Sequence, residues 1–268
     1  MVGNRSFDGL HRLLSMAHAQ AHENLNTAWF SNHLVEGSGD IMGREGEAFY
    51  RDLKRKNNQN AAVLSPAARD FIEAGRGERD RLERACMIAA AANVAPLEAP
   101  SRGFEFREVR DVLRGRWSPV IKGNVYKAVG KTRRVFYVTD NAGEIGFDAL
   151  LISMLKGMDI RVFLVVKEPL FFEDATLEDV RFFGLERWVD AVIMVKGIFI
   201  PGGNCPQAVK QAFEEADLII SKGTGNYEAL KGKVEGKQTI YMLKVKCAPI
   251  AASVEVEQGR FVVDLEEV

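Results

Sequence analysis

Hydrophobic and polar positions follow two different patterns in the two halves of this chain. From about residue 7 to residue 128 there is almost no period-two alternation, and apolar residues recur at the spacing of amphipathic helices. From residue 135 onward, short β-branched and aromatic runs take turns with helical segments. We therefore expect an all-helical N-terminal region at residues 1–128, serving as a cap or lid, and an α/β region at residues 129–268.

Capping and turn residues divide the helical half into segments. Ser65 and Pro66 predict a helix start, with Ser65 as cap and Pro66 at the first position. The stretch from Glu36 to Gly46 is rich in glycine and acidic residues and predicts a loop. Asn93 follows an alanine-rich segment and predicts a helix end. The helices expected after the first one cover residues 47–62, 65–75, 80–92 and 106–113, followed by a connector at 117–130.

Three histidines share one face of the first predicted helix, which begins near Phe7. His11, His18 and His22 are seven and four residues apart. A pair at i and i+4 can hold a metal ion, but no cysteine or third ligand is identifiable nearby. We expect these histidines to be packed or solvated rather than metal ligands.

The second half predicts a parallel sheet. Candidate strands cover residues 135–138, 161–166, 191–195, 218–220, 239–243 and 260–264. Candidate helices cover residues 145–157, 177–183, 206–216 and 227–230. Alternating strands and helices imply parallel strands joined by right-handed crossovers. The expected fold class is α/β, with a Rossmann-like, doubly wound, mainly parallel sheet preceded by the helical region.

The stretch from Val135 to Asp148 carries the first chemical signal. It predicts a buried strand, a polar turn and then a helix, with Asp140 and Asn141 at the carboxyl end of the strand. Ligands of open α/β sheets bind at that edge, and two adjacent oxygen-bearing side chains suit a hard divalent cation. The alternative is that Asp140 caps the following helix and Asn141 completes the turn.

Polar residues follow other predicted strands as well. Asp174 follows the second strand, Lys222 and Gly223 follow the fourth, and Lys246 follows the fifth. In a parallel sheet these loops meet at one edge, where three oxygen ligands and two lysines describe a metal-assisted phosphate site. Each residue also has a structural alternative: Asp174 or Thr176 as a helix cap, the glycines as a flexible turn, and Lys246 as a surface side chain.

Composition narrows the class of protein. The chain has 268 residues, with 36 basic and 37 acidic side chains and a formal net charge of -1, so bulk charge does not predict nucleic acid or anionic membranes as partners. No apolar run approaches the length of a membrane span. The three cysteines, Cys86, Cys205 and Cys247, are far apart and form no CxxC pair. A reducing, cytoplasmic setting is therefore expected.

Several segments together resemble one known family, the DUF89 proteins, also called damage-control phosphatases or the acidic-residue methyltransferase-like family. The matching segments are 50–54 (Tyr-Arg-Asp-Leu-Lys), 140–145 (Asp-Asn-Ala-Gly-Glu-Ile), 173–179 (Glu-Asp-Ala-Thr-Leu-Glu-Asp), 216–228 and 243–247 (Leu-Lys-Val-Lys-Cys). The resemblance extends over most of the chain, and the motifs of the second half are specific in order and spacing. Asn93 matches a Gly-Asn position of the family, although Ala92 precedes it here.

The resemblance implies an activity and a set of site residues. It implies hydrolysis of phosphate monoesters of small metabolites, such as sugar phosphates or damaged phosphometabolites, with manganese, cobalt, nickel or magnesium as cofactor. The implied metal ligands are Asp140, Asn141 and Asp174. The residues implied around the phosphate are Lys222, Gly223, Asn226, Lys246 and Asn93. The nucleophile is either water or the Asp140 carboxylate.

The family pattern is not matched everywhere. Archaeal-type members carry paired cysteines near the N-terminus, where this chain has histidines, and Glu173 stands where asparagine is usual. Two other functions remain open. One is carboxyl methyl transfer from S-adenosylmethionine, for which the loop at 140–144 is a poor match to a glycine-rich cofactor loop. The other is a non-catalytic sensor that binds a phosphometabolite. The sequence does not decide between a monomer and a homo-oligomer.

Overall fold

The computed structural model describes residues 27–94, 103–168, 172–203 and 205–267; between residues 27 and 42 it describes the side chains of Ala28, Ser31 and Asn32. The predicted first helix with His11, His18 and His22 lies outside the described residues. The helices are α1 (Thr27–Glu73), α2 (Gly77–Ala91), α3 (Arg107–Leu113), α4 (Val125–Val129), α5 (Glu144–Gly157), α6 (Leu177–Phe182), α7 (Gln207–Glu215), α8 (Thr224–Leu230) and α9 (Ala248–Val254). The strands are β1 (Val120–Lys122), β2 (Arg134–Val138), β3 (Arg161–Lys167), β4 (Ala191–Val195), β5 (Leu218–Lys222), β6 (Gln238–Lys244) and β7 (Phe261–Glu266).

The strands form one sheet in the order β1-β7-β6-β5-β2-β3-β4. β2 pairs in parallel with both β3 and β5, and β3–β4, β5–β6 and β1–β7 are parallel as well. This mixed α/β architecture, with a mainly parallel sheet after a helical region, confirms the predicted fold class.

The two strands at one edge of the sheet, β7 and β1, run opposite to the other five. β7 pairs antiparallel with β6, with Lys244 opposite Phe261. Residues 245–260, including α9, remain near the carboxyl end of β6, so the chain re-enters the sheet from that end and must run the other way. The expectation of parallel pairing was wrong for β7.

The core lies on both faces of the sheet, as the residues of β2 illustrate. Val135 and Tyr137 pack into the apolar cluster beneath α1, α2 and α5, whereas Phe136 and Val138 pack into the cluster with α7, α8 and α9. All four are fully buried. A strand covered on both faces reads as a continuous apolar run, which is why the sequence revealed it.

The predicted loop from Glu36 to Gly46 is helical in the structure, and this expectation was wrong. α1 runs through the segment with one break at Gly43, whose φ of 55° and ψ of -163° lie outside the helical region. Each glycine in a helix costs about 1 kcal/mol, which is why the composition predicted a loop. The α1 side chains that pack into the core with α2 and α5 lie beyond this segment, at Ala61, Ala68 and Ile72.

The predicted helix start at Ser65 is also wrong, because α1 continues through Pro66 to Glu73. Pro66 lacks the N–H that would bond the carbonyl four residues back, at Ala62. Ala62 is exposed. The Ser65 hydroxyl donates to the Ala61 carbonyl at 2.9 Å rather than capping a new helix. The helix therefore tolerates the proline at this position.

Three elements escaped the sequence analysis. β1 and α4 lie in the segment expected to be a connector, and β1 extends the sheet by pairing with β7. α9 follows β6. The division of the chain at residue 128 stays a prediction. Within the described residues, no helix is both long enough and apolar enough to cross a membrane.

Candidate functional site

The site lies where the order of the strands reverses. β2 and β5 are neighbours, but β2 is followed by β3 on one side and β5 by β6 on the other. A crevice opens at such a reversal, beyond the carboxyl ends of the strands. Asp140 and Asn141 follow β2, and Gly223 follows β5. A methyl group at Gly223 would collide with the Asp140 carboxylate, so the two loops are in direct contact.

The turn after β2 is fixed from the helical region. α5 begins at Glu144 with Gly143 in the N-cap position, so Asp140 does not cap it. Gly143 has a φ of 78°, and its N–H donates to the Asn58 side-chain oxygen at 2.7 Å. A methyl group at Gly143 would lie 2.6 Å from the Asn57 carbonyl oxygen. Only glycine allows α1 to approach this closely.

Asp174 reaches the same edge through main-chain pairing. Asn141 and Asp174 form an antiparallel bridge. The Ala142 N–H donates to the Glu173 carbonyl at 2.8 Å, and the Ala175 N–H donates to the Asp140 carbonyl at 2.7 Å. These bonds hold the two acidic segments side by side.

Thr176, rather than Asp174, caps α6. The Thr176 N–H donates to the Asp179 carboxylate at 2.7 Å, in a capping box at the start of the helix. Lys54 of α1 donates to the Thr176 hydroxyl at 2.8 Å and pairs with Asp179 at 2.9 Å. Asp174 is thus left available for another role.

The two carboxylates lie in a site that is partly shielded from solvent. Burial and, next, the nearby charge of Glu144 raise the pKa of Asp140 to about 6. Burial also raises the pKa of Asp174 well above its ordinary value; Lys167 opposes this shift and the charge of Asp140 reinforces it. A divalent cation would relieve this repulsion, and two carboxylates with an amide oxygen from Asn141 form a donor set that hard cations accept.

The residues therefore fit a metal ion on the chemistry of their donors. In the described ranges, no group of three or more histidine, cysteine, aspartate or glutamate side chains is arranged to hold a metal. The candidate set contains two carboxylates and one amide, so waters or a substrate oxygen would complete the coordination.

Lysine side chains face these carboxylates. Lys167, at the end of β3, is almost fully buried, and its ammonium lies 3.7 Å from the Asp174 carboxylate. Burial lowers the pKa of Lys167, an effect that Asp174 and Asp140 partly offset. Lys246 is near enough to lower the pKa of Asp140. Among the described residues, the Lys246 ammonium has no hydrogen-bond or salt-bridge partner.

Lys222 occupies a different environment. Its ammonium is fully buried and donates to Glu144 and Asp148 at 2.6 Å each, and to the Ala89 carbonyl at 2.9 Å. Burial alone lowers the pKa of Lys222, but the two carboxylates outweigh it and the pKa lies above its ordinary value. The Tyr137 hydroxyl also donates to Asp148, at 2.8 Å. The inner cluster comprises Tyr137, Glu144, Asp148 and Lys222.

Glu144 and Asn93 link the inner cluster to the carboxylates above it. Glu144 accepts hydrogen bonds from the amides of Asn93, at 3.1 Å, and Asn141, at 3.3 Å. The Asn93 amide also donates to the Asp140 carboxylate at 2.7 Å, and its oxygen accepts from the Lys244 N–H at 3.1 Å. These bonds orient the outer cluster, comprising Asp140, Asn141, Asp174 and Lys246.

Gly223 and Asn226 shape the loop after β5. Gly223 has a φ of 81°, which favours glycine, and its N–H is bonded to the Met242 carbonyl at 3.0 Å. The Asn226 amide donates to the Thr139 and Lys222 carbonyls at 2.9 and 2.8 Å. The Asn226 side-chain oxygen and the Thr224 hydroxyl are shielded from solvent without a partner among the described residues. Their contact with a phosphate stays a prediction.

A cleft of about 680 Å³ extends from this edge of the sheet toward α1. Lys167, Thr176 and Asn58 form its inner part. Lys167 pairs with Asp174, so the cleft adjoins the predicted metal ligands. Its volume is within the range of about 300–1,000 Å³ that is usual for small-molecule pockets.

The structure brings together most of the residues that the sequence singled out. Asp140, Asn141, Asp174, Asn93 and Gly223 converge. Sequence reasoning assigned no role to Glu144, Asp148 or Lys167. Glu144 and Asp148 are four residues apart and fully buried on α5, and acidic residues at that spacing in an otherwise apolar helix could have signalled a buried partner.

The fold and the site together define an α/β protein of the Rossmann-like type, with an acidic centre at the reversal of strand order. The family model of the damage-control phosphatase ARMT1-like domain matches residues 11–262. The chain belongs to this family.

Individual relatives agree. A damage-control phosphatase of Archaeoglobus fulgidus is 31% identical over 233 residues, covering 85% of this chain and 78% of the relative. A damage-control phosphatase of Pyrococcus horikoshii is 30% identical over 157 residues, covering 58% of this chain and 54% of the relative. The crystal structure of a DUF89 family protein from Pyrococcus horikoshii has a TM-score of 0.73, 24% identity, and coverage of 97% and 91% of the two chains, which shows the same fold. These relatives support a phosphatase role.

Proposed function

We propose that the protein is a divalent-metal-dependent phosphatase that hydrolyses phosphate monoesters of small metabolites, such as sugar phosphates or damaged phosphometabolites. The observation that carries the proposal is the pairing of Asn141 with Asp174, which holds two partly shielded carboxylates beside a lysine without a partner among the described residues. Membership of a phosphatase family supports the same reaction.

The metal would be held by Asp140, Asn141 and Asp174. Manganese, cobalt, nickel and magnesium all accept oxygen ligands of this kind. When bound, the cation would neutralise charge on the phosphate oxygens and so lower the barrier to attack. The Asn93 amide, which donates to Asp140 at 2.7 Å, would keep that carboxylate turned toward the ion.

The chain's own cations would act on the phosphate. In this proposal the Lys246 ammonium donates to an equatorial phosphate oxygen and stabilises the charge of the transition state. The Lys167 ammonium lies 3.7 Å from the Asp174 carboxylate and would hold it in place. Lys222 takes a positioning role, because all three hydrogens of its ammonium have acceptors in the protein.

The proposal is tested by phosphate release. The protein is stripped of metal with a chelator, and manganese, cobalt, nickel or magnesium is added back separately. The substrates are p-nitrophenyl phosphate and a panel of sugar phosphates. We expect turnover only with metal, and a loss of at least about a thousandfold in Asp140→Ala or Asp174→Ala, because each removes a charge that holds the cation.

Asp70→Ala is the matched control, since Asp70 is exposed on α1, far along the helix from the site. This variant also loses one aspartate carboxylate, but it should retain full turnover. Circular dichroism of each variant checks that the fold is intact. Near-normal, metal-dependent turnover in Asp174→Ala would contradict the assignment of the ligands. Absence of turnover with every metal and ester would contradict the phosphatase itself.

A further inference from the structure

The cleft beside the candidate site has an apolar rim. Only four large hydrophobic side chains are exposed in the part of the chain that the structure describes: Phe49, Val63, Phe182 and Met194. Phe182 and Met194 line the cleft, and the Phe49 ring packs on Tyr50, which also lines it. Exposed apolar side chains gathered around one opening mark a place where an apolar group binds.

One wall of the cleft is built around an unusual backbone conformation. Phe172 has a φ of 50°, in the left-handed region that side chains other than glycine rarely adopt. Its ring meets the Tyr50 ring at 5.4 Å in an edge-on contact. The cost of such a conformation is of order 1 kcal/mol, and it persists where the surroundings require it. Tyr50 and Phe172 both line the cleft.

Charged residues also line the cleft, but several neutralise one another. Lys54 pairs with Asp179 at 2.9 Å, and Arg55 pairs with Asp52 at 2.5 Å. In all, five basic and four acidic residues line the cleft, so its net formal charge is small. The apolar side chains of Phe182 and Met194, in contrast, keep nearly half of their surface exposed.

We propose that this cleft binds the alcohol part of the phosphate ester, and that among phosphate monoesters of small metabolites it favours those whose alcohol part is an apolar, aromatic-sized group. The inference rests on the proposed phosphatase function and names its substrate class. Lys167 links the cleft to the proposed metal site, because it lines the cleft and pairs with Asp174. The phosphate at the metal ligands and an apolar body against Phe172, Phe182 and Met194 would therefore occupy one continuous space.

The test compares three esters: glucose 6-phosphate, phenyl phosphate and 4-propylphenyl phosphate. A para-alkyl group hardly changes the acidity of the phenol, so the two aryl esters differ in binding rather than in leaving-group chemistry. We expect kcat/KM to be about tenfold higher for the propyl ester than for phenyl phosphate, as an added apolar group in a fitting pocket provides. Glucose 6-phosphate should be the poorest substrate of the three.

The preference for the propyl ester should depend on the rim. Phe182→Ala and Met194→Ala truncate side chains that are 49% and 43% exposed, so the fold should be retained. Each should lower the ratio of the two kcat/KM values, and the double variant should bring it near one. Val63→Ala is the matched control. It truncates an exposed apolar side chain on α1 that does not line the cleft, and it should leave the ratio unchanged.

Two outcomes distinguish a failure of the proposed substrate preference from a failure of the proposed phosphatase activity. Metal-dependent hydrolysis of all three esters without a preference for the propyl ester, or a preference that survives in the double variant, would overturn the inference and leave the phosphatase standing. Failure to hydrolyse any ester with any metal would overturn the phosphatase, and the inference with it.

Discussion

The inner and outer clusters both contain carboxylates and a lysine. They differ in how closely these charges are paired within the protein. In the inner cluster, Lys222 and its two carboxylates are completely buried and closely paired. In the outer cluster, the Asp174 carboxylate lies 3.7 Å from the nearest lysine ammonium, that of Lys167, and Lys246 has no partner among the described residues. Charge that is paired inside the protein holds structure, and charge left without a counterpart is available to a ligand.

Replacing the lysine by methionine should therefore lower stability in the inner cluster and activity in the outer one. The largest loss of stability is expected in the inner cluster. Lys222→Met leaves Glu144 and Asp148 buried without their counter-charge, and we expect it to lower the free energy of unfolding by about 3–5 kcal/mol. Urea denaturation measures the change. Adding Glu144→Gln and Asp148→Asn should recover part of the stability, and a change below about 1 kcal/mol in the single variant would contradict the distinction.

Lys246→Met should show the reverse pattern. We expect kcat/KM to fall about a hundredfold, because one donor to the developing charge is lost, while the free energy of unfolding changes by less than about 0.5 kcal/mol. Steady-state kinetics and urea denaturation measure the two quantities. Lys131→Met removes the charge of an exposed lysine just before β2 and should change neither. A loss of less than threefold in Lys246→Met would remove this residue from the phosphate site.

Metal should stabilise the outer cluster in particular. At a metal concentration about a hundred times the dissociation constant, the free energy of unfolding should rise by about 2.7 kcal/mol. Thermal unfolding with and without manganese measures the shift in Tm. Asp174→Asn should abolish it, whereas Asp70→Asn, at an exposed position, should retain it. An unchanged shift in Asp174→Asn would place the ion elsewhere.

The contact between the loops after β2 and β5 should matter for activity more than for stability. Gly223→Ala and Gly232→Ala both place a side chain at a positive φ, 81° and 68°, and each should cost about 1 kcal/mol of stability. Only at Gly223 would the new methyl group collide with Asp140; nothing lies within 4 Å of it at Gly232. Turnover and metal affinity should therefore fall in Gly223→Ala alone. Equal activity in both variants would show that Asp140 has room to move.

Local sequence signals were sufficient to predict the parallel strands and to place the polar residues at their carboxyl ends. β4 has the predicted bounds, and β2 and β3 differ by one residue at one end, because buried strands are short, apolar and bounded by polar turns. Asp140 and Asp174 could be placed at one edge because parallel strands bring their carboxyl ends together.

Some features that escaped prediction depend on contacts between distant residues. The antiparallel direction of β7 is set by the path of the connection from β6, not by local composition. The described side chains do not explain the helical course of residues 36–46. Lys222 was predicted to face the phosphate because its position in the chain is right. Its burial follows from Glu144 and Asp148, which are 78 and 74 residues away in sequence.

The hydrogen bond from Gly143 to Asn58 has a consequence for how the molecule opens. The two residues are 85 positions apart, so the amide proton of Gly143 is protected only while α1 lies on the sheet. Exchange of that proton with solvent requires the helix to separate, and the turn bearing Asp140 and Asn141 loses its support in the same event. The Gly143 amide is thus a reporter of α1 docking, and we expect the proposed metal ligands Asp140 and Asn141 to lose their support when α1 separates.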